Sequence, residues 1–174
     1  MSLIKSISGI RGTIGGKVND NLTPLDVVKF ASAFGTWLQQ NKNSKNLTIV
    51  IGRDARISGQ MVSSLVASTL QGLGINVIDL GLSTTPTVEG MVPELNADGG
   101  IILTASHNPK QWNALKLLND KGEFINAEEG AKVLELAENE DFDYAQVDDL
   151  GSYETRNDAF DIHIQKILDL PMVD

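Results

Sequence analysis

The stretch Gly99-Gly100-Ile101-Ile102-Leu103-Thr104-Ala105-Ser106-His107-Asn108-Pro109 decides the fold of this chain. Its first five residues form an apolar run that is too short for a typical helix, which predicts a buried strand. The residues that follow are polar, and Asn108-Pro109 is a turn signal because proline moves the preceding residue away from the helical region. The predicted strand therefore runs directly into a polar turn.

Strand and helix patterns alternate along the rest of the chain. This alternation indicates an α/β layered domain with a mixed, largely parallel sheet flanked by helices. Ligands bind at the carboxyl ends of strands in open sheets of this kind, and the turn with Ser106 lies at such an end. The other predicted strands span 47–51, 75–80 and 114–118, and a short partner strand is predicted near 123–125. The first predicted helix begins at Thr23-Pro24. The others span 59–73 (with Ser58 as N-cap), 87–96, 127–139 and 155–170.

Composition narrows the class of protein. The chain has 174 residues, 41% of them hydrophobic and 21% charged, as in ordinary soluble globular domains. A net charge of −9 argues against a nucleic-acid partner, which would require a basic surface. The chain contains no cysteine, which excludes disulfides and thiolate metal sites. We find no membrane-spanning stretch and no signal peptide in these residues, and we expect a cytoplasmic protein without a membrane partner.

The chemistry of the polar turn allows two interpretations. Ser106 is either a nucleophile that carries a phosphoryl group or one of several turn hydroxyls that only satisfy backbone groups. The glycine-rich segment around Arg11 is similarly open, since it could be a flexible loop, a hairpin or a phosphate-binding segment. Arginine suits phosphate because its planar fork binds two oxygens and keeps its charge.

Three further segments are interpreted as structural. Arg53, Asp54 and Arg56 are expected to form an ion-pair network that fixes their loop rather than to bind substrate. The threonines of Gly81–Thr87 are expected to cap a helix. The acidic segment 139–149 is interpreted as a solvated loop, although a metal site is conceivable.

Four motifs, in order, resemble those of the α-D-phosphohexomutases, the family of phosphoglucomutases, phosphomannomutases and phosphoglucosamine mutases. The resemblance covers nearly the whole chain and corresponds to the first domain of that family. The motifs are Gly9-Ile10-Arg11-Gly12, Gly52-Arg53-Asp54-Ala55-Arg56-Ile57-Ser58-Gly59, Thr104–Pro109 and Asn113-Ala114-Leu115-Lys116.

The resemblance implies an intramolecular phosphotransferase that interconverts hexose 1-phosphate and hexose 6-phosphate. Ser106 would be the phosphoserine and would contact Mg²⁺ through its phosphate, with hexose 1,6-bisphosphate as activator. Lys116 would be a general acid/base, and Arg11, in an amino-terminal loop, would face the serine. His107 would bind the phosphate or orient the turn, unless it is a plain loop histidine, and Asn108 would help to bind phosphate.

The sequence departs from the family pattern in two ways. Ala114 stands where glycine is usual, which is compatible with the motif only if its φ is negative. The family's aspartate metal loop and later domains do not occur in these residues. We therefore expect residues 1–154 to be the active-serine domain and 155–174 a helix leading to a second domain, with the fragment inactive alone. The alternative is a non-catalytic sugar-phosphate-binding module, and the identity of the hexose is open.

Overall fold

The computed structural model describes residues 2–6, 9–44 and 46–171. Within these ranges, seven strands form one sheet and five α-helices cover it. The strands are β1 (Ile4–Ser6), β2 (Gly9–Thr13), β3 (Thr48–Arg53), β4 (Asn76–Leu82), β5 (Gly99–Leu103), β6 (Trp112–Leu118) and β7 (Tyr153–Thr155); the helices are α1 (Pro24–Lys42), α2 (Gly59–Gly72), α3 (Thr85–Glu94), α4 (Ala127–Asn139) and α5 (Ala159–Leu168).

The strand order is β1-β2-β6-β5-β3-β4-β7. Strands β5, β3, β4 and β7 pair in parallel, whereas β6 pairs antiparallel with both β5 and β2. Strand β2 therefore runs in the same direction as β5, and the sheet is mixed but largely parallel, as predicted. Arg53 pairs with Leu103, so the loops after β3 and β5 leave the sheet at the same edge.

Helices cover both faces of the sheet. One core packs α1, α2 and α4 against one face, and a smaller core packs α3 and the start of α5 against the other. All five residues of β5 are buried because this strand has neighbours on both sides and helices on both faces. No helix in the described residues is long and apolar enough to cross a membrane.

Most helix starts follow the predicted capping chemistry. Thr23 and Asn126 each form a capping box with the acidic residue three positions later, and the Thr84 hydroxyl accepts the Thr87 amide at 3.3 Å. Ser58 and Asp158 are exceptions, since neither side chain makes a capping bond. Ser58 has helical backbone angles (φ −79°, ψ −7°) instead of the extended ones of a capping residue, and its hydroxyl accepts a 2.9 Å hydrogen bond from the Asn113 side-chain amide.

The predicted helix over 155–170 is wrong at its start. Residues 153–155 form β7, whose Tyr153 hydroxyl donates to Asp79 at 2.8 Å, and α5 begins only at Ala159. Partial burial and this hydrogen bond raise the pKa of Tyr153 to about 12. The apolar residues of α5 are also more exposed than an amphipathic helix predicts, with Phe160, Ile164, Ile167 and Leu168 all above 40% exposed.

Two further predictions differ in detail. The helical spacing of apolar residues within 59–73 predicts a buried face that includes Met61, Val66 and Leu70. Val66 and Leu70 are buried, but Met61 is 40% exposed. The predicted partner strand near 123–125 is reduced to a single bridge between Leu118 and Phe124. The acidic segment 139–149 is largely an exposed loop with one short 3₁₀ turn, as expected.

Candidate active site

Ser106 lies at the tip of the turn that follows β5. Its backbone has φ = 52°, in the left-handed region, and the residue is exposed. The amide of Ser106 donates to the Thr104 hydroxyl at 3.0 Å. This hydrogen bond therefore fixes the backbone of Ser106, while its side chain stays open to solvent.

Lys116 approaches Ser106 from the neighbouring strand. The chain returns along β6, where Lys116 pairs with Ile102 of β5, and its ammonium donates to the Ser106 hydroxyl at 3.2 Å. The same ammonium lies 5.7 Å from the centre of the Phe124 ring, within cation–π range. The structure thus brings together these two residues, which are ten positions apart in the sequence.

Ala114 causes no backbone conflict in the returning strand. It lies within β6, is buried, and does not belong to the residues with positive φ. The alanine therefore satisfies the negative-φ condition that the sequence comparison imposed.

Arg11 lies in strand β2, which pairs antiparallel with β1, so the hairpin alternative fits this segment and the loop does not. Arg11 pairs with Ala114 across the antiparallel β2–β6 ladder, so its side chain shares a face with Lys116, its diagonal neighbour. Diagonal neighbours on one face are typically about 7–8 Å apart. The Arg11 side chain is exposed and makes no hydrogen bond or ion pair with another described residue. Its guanidinium is therefore available for a ligand at the same edge.

Gly9 allows β2 to lie this close to β6. A Cβ atom at this position would stand 2.3 Å from the carbonyl oxygen of Leu115, well inside any permissible contact. A steric requirement thus explains the first glycine of the Gly9–Gly12 motif. This glycine also determines where Arg11 lies beside β6.

Arg56 binds the turn that carries Ser106. Its Nη2 donates to the carbonyl oxygens of Ser106 and Asn108, both at 2.8 Å. Its Nη1 donates to those of Pro109 at 2.8 Å and Trp112 at 2.9 Å. The interpretation of this arginine as structural is supported, because each of these bonds goes to backbone.

Asp54 links Arg56 to the base of the same turn. One of its carboxylate oxygens accepts from Arg56 Nε at 3.1 Å and from the Thr104 hydroxyl at 2.6 Å, while the other accepts the Arg56 amide at 3.0 Å. Thr104 in turn accepts the Ser106 amide. The turn is therefore held through its carbonyls by Arg56 and through Thr104 by Asp54.

His107 and Asn108 follow Ser106 in sequence, but in the described part of the chain their side chains make no hydrogen bond to it. His107 is exposed, and among the described residues no hydrogen bond to its ring is present. The Asn108 backbone amide donates to the Ala105 carbonyl at 3.0 Å, which closes the turn. The structure leaves both side chains free at the surface of the site.

Four residues of this region were not singled out from the sequence as site residues. Thr104 and Asn113 lie in the motifs. A polar residue at the end of a buried strand was the sequence feature that could have identified each of them. Phe124 and Glu89 come from elements with no motif. Burial raises the pKa of the Glu89 carboxyl on α3 above its ordinary value, and the charge of Lys116 partly opposes this rise.

A metal site made only of this chain's side chains is not evident. In the described ranges, no group of three or more histidines, aspartates or glutamates is placed to hold a metal ion. The Asp54 carboxylate, at the base of the turn, already accepts hydrogen bonds from Arg56 and Thr104. Any metal at this edge would depend on Ser106 or on ligands from outside these residues.

The chain was compared with known proteins. Residues 3–144 match the family model described as phosphoglucomutase/phosphomannomutase, alpha/beta/alpha domain I. A phosphoglucomutase/phosphomannomutase of Thermococcus kodakarensis is 40% identical over 142 residues, which are 80% of this chain and 31% of that protein. A phosphoglucosamine/phosphogalactosamine mutase of Sulfurisphaera tokodaii is 35% identical over 158 residues, covering 91% of this chain and 33% of that protein.

A solved structure has the same fold. A phosphomannomutase-like protein from Thermus thermophilus superposes with a TM-score of 0.78 at 28% identity, covering 97% of this chain and 37% of that one. The chain thus spans about a third of the length of the curated relatives it matches. Together with the matched motifs, these findings show that the chain belongs to the phosphoglucomutase/phosphomannomutase family, of which it carries the α/β/α domain I.

Proposed function

We propose that this chain is the active-serine domain of a phosphohexomutase, which interconverts hexose 1-phosphate and hexose 6-phosphate. The observation that carries the proposal is the hydrogen bond of 3.2 Å from the Lys116 ammonium to the Ser106 hydroxyl, at the exposed tip of a held turn. A serine that only satisfied backbone groups would not need a cation on its hydroxyl. The family relationship supports the same role.

In the proposed cycle, Ser106 carries the transferred phosphoryl group. The phosphorus–oxygen bond at Ser106 breaks as a free sugar hydroxyl attacks, and the sugar becomes a bisphosphate. The bisphosphate reorients, and the Ser106 oxygen accepts its other phosphoryl group. Hexose 1,6-bisphosphate therefore activates an unphosphorylated protein, because it supplies the first phosphoryl group.

Phosphoryl transfer depends mainly on positioning and on stabilising charge. Phosphoserine carries nearly two negative charges at neutral pH. Lys116, already in contact with the hydroxyl, would offset this charge and exchange the proton of the sugar hydroxyl. Arg11 would bind phosphoryl oxygens with its free planar fork. His107 and Asn108 would add hydrogen bonds from the exposed side of the turn.

Mg²⁺ fits this proposal only through Ser106. Phosphoryl oxygens are the hard ligands that Mg²⁺ prefers, and the ion typically bridges few protein groups. The described residues offer that one ligand, so the remaining ones would come from water or from outside this chain. When bound, the ion would offset negative charge on the transferred group.

We also propose that residues 155–174 lead into further domains that recognise the sugar. The relatives are about three times as long as this chain, and α5 exposes several apolar side chains. The 174 residues alone would then turn over no substrate. A binding module without catalysis remains the second candidate, and the exposed Arg11 is the feature that favours it, since a binder would need a free arginine but no nucleophile.

The test is intact-mass analysis of the full-length gene product after incubation with glucose 1,6-bisphosphate and Mg²⁺. We expect a gain of one phosphate, mapped by peptide analysis to Ser106 and absent from Ser106→Ala. Failure of the folded wild-type protein to gain phosphate would refute the mutase proposal and favour the binding module.

A further inference from the structure

We propose that Arg56 is a positioning residue that shapes the phosphoryl-carrying turn by binding four backbone carbonyl oxygens between residues 106 and 112. The inference rests on the proposed function for its catalytic consequence. That one guanidinium holds residues 106–112 in place follows from the contacts alone.

The hydrogen-bond donors of Arg56 are all engaged within the protein. A guanidinium has five N–H donors. In Arg56, Nε donates to Asp54, Nη1 to Pro109 and Trp112, and Nη2 to Ser106 and Asn108. All five are therefore used within the protein. No donor is left for a phosphate oxygen, which excludes Arg56 as a substrate ligand in this conformation.

Arg56 also determines where the carbonyl oxygens of the turn point. A carbonyl oxygen carries a partial negative charge and would repel a phosphoryl group placed beside it. The carbonyls of Ser106, Asn108, Pro109 and Trp112 all point at the Arg56 guanidinium instead. The negative ends of four peptide dipoles are thus collected on the side of Arg56, which favours an anion on the Ser106 hydroxyl.

The charge of Arg56 is balanced by Asp54. The Arg56 side chain is only 10% exposed, and a cation this buried needs a partner. Asp54 supplies it and also accepts the Thr104 hydroxyl, which accepts the Ser106 amide. The pair therefore holds Ser106 from both its carbonyl and its amide side.

The experiment compares Arg56→Lys with the matched control Arg53→Lys in the full-length gene product. Arg53 lies in the same segment, but it donates to the Asp54 carbonyl and to the Gln60 side chain and makes no hydrogen bond to residues 104–112. Lysine keeps the charge but has at most three donors and no planar fork. The charge is thus constant, and the bonding to the turn is what changes.

The first readout is the single-turnover rate of phosphoryl transfer from glucose 1,6-bisphosphate to Ser106 over a range of donor concentrations. We expect Arg56→Lys to lower the maximal rate about 100-fold, the typical effect of a misplaced reacting group, with half-saturation within about twofold. Arg53→Lys should leave both within about twofold. Guanidinium added below denaturing concentrations should raise the transfer rate of Arg56→Ala at least about tenfold. A variant that had generally lost its structure would not respond in this way.

The second readout does not depend on phosphoryl transfer. Lys110 is exposed within the turn, and cleavage by trypsin after it reports how often the turn opens. We expect cleavage at Lys110 to accelerate about tenfold in Arg56→Lys and not in Arg53→Lys. If the wild type gains no phosphate but this difference is seen, the mutase proposal fails and the positioning role stands.

Two results would overturn the inference. One is a wild-type transfer rate and wild-type trypsin cleavage in Arg56→Lys. The other is a raised half-saturation concentration with an unchanged maximal rate, which would make Arg56 a ligand of the sugar phosphate.

Discussion

Two arginine-bearing segments border the Ser106 turn, and they use the same side chain in opposite ways. Arg56, in the loop after β3, is almost buried and has all its donors engaged by the protein. Arg11, on β2, is exposed and has none engaged within the part of the chain that the structure describes. Both lie in glycine-containing motifs that are similar to those of the family.

The difference shows that the state of the donors, and not the motif, separates an arginine that holds a turn from one that can bind a ligand. Arginine suits either role because its fork accommodates two carbonyls as well as two phosphoryl oxygens. The comparison predicts separate consequences for the two side chains: loss of Arg11 should affect transfer, and loss of Arg56 should affect both transfer and stability.

The largest effect should follow from Arg11→Ala. Removing a donor that acts on developing charge typically lowers a rate by about 10²–10³-fold. The free energy of unfolding should change by less than about 0.5 kcal/mol, because the side chain is exposed. Transfer to Ser106 and urea denaturation of the same preparation measure the two quantities. A loss of stability without a loss of transfer would reverse the roles assigned to the two arginines.

The next effect is on stability and concerns Arg56→Ala. The substitution leaves the Asp54 carboxylate and the turn carbonyls without their cation, and breaking a buried ion pair costs about 3 kcal/mol. Arg53→Ala, the matched control, should cost about 0.5 kcal/mol or less. Equal losses in the two variants, measured by urea denaturation, would show that Arg56 has no special hold on the turn.

The smallest effect is expected from Thr104→Val. This substitution removes the hydroxyl that joins Asp54 to the Ser106 amide and leaves the bonds from Arg56 in place. Valine keeps the shape but leaves the Ser106 amide without its acceptor. An unpaired group of this kind costs about 1 kcal/mol. Amide hydrogen exchange at Ser106 should accelerate while exchange in β5 stays unchanged. Unaltered exchange at Ser106 would mean that Arg56 alone holds the turn.

The regular elements were predictable because their signals are local. The run Gly99–Leu103 is a strand as expected, and the caps at Thr23 and Asn126 start helices where predicted. Each depends on residues within a few positions, so the sequence contains the information. The mixed sheet followed from the alternation of such elements, although the sequence does not reveal the strand order.

The errors and omissions depend on contacts between distant residues. Strand β7 exists because Tyr153 and its neighbours pair with β4 some 74 positions earlier, which no local pattern near Thr155 reveals. Ser58 does not cap α2 and instead accepts a hydrogen bond from Asn113, 55 positions later. That Arg56 would bind the Ser106 turn was likewise not readable, since the partners lie about 50 positions away. The predicted ion pair between Arg56 and Asp54 is present. The prediction did not include the bonds from Arg56 to the Ser106 turn.

The position of β6 between β5 and β2 also has a consequence for the order in which the protein can fold during synthesis. Arg11 is made about 100 residues before its partner Ala114. At about 5–20 residues per second, β2 therefore waits roughly 5–20 s for the strand that fixes it. The β3–β5 core can form first, since its strands are nearer in sequence. The edge that holds Ser106, Lys116 and Arg11 is thus assembled late.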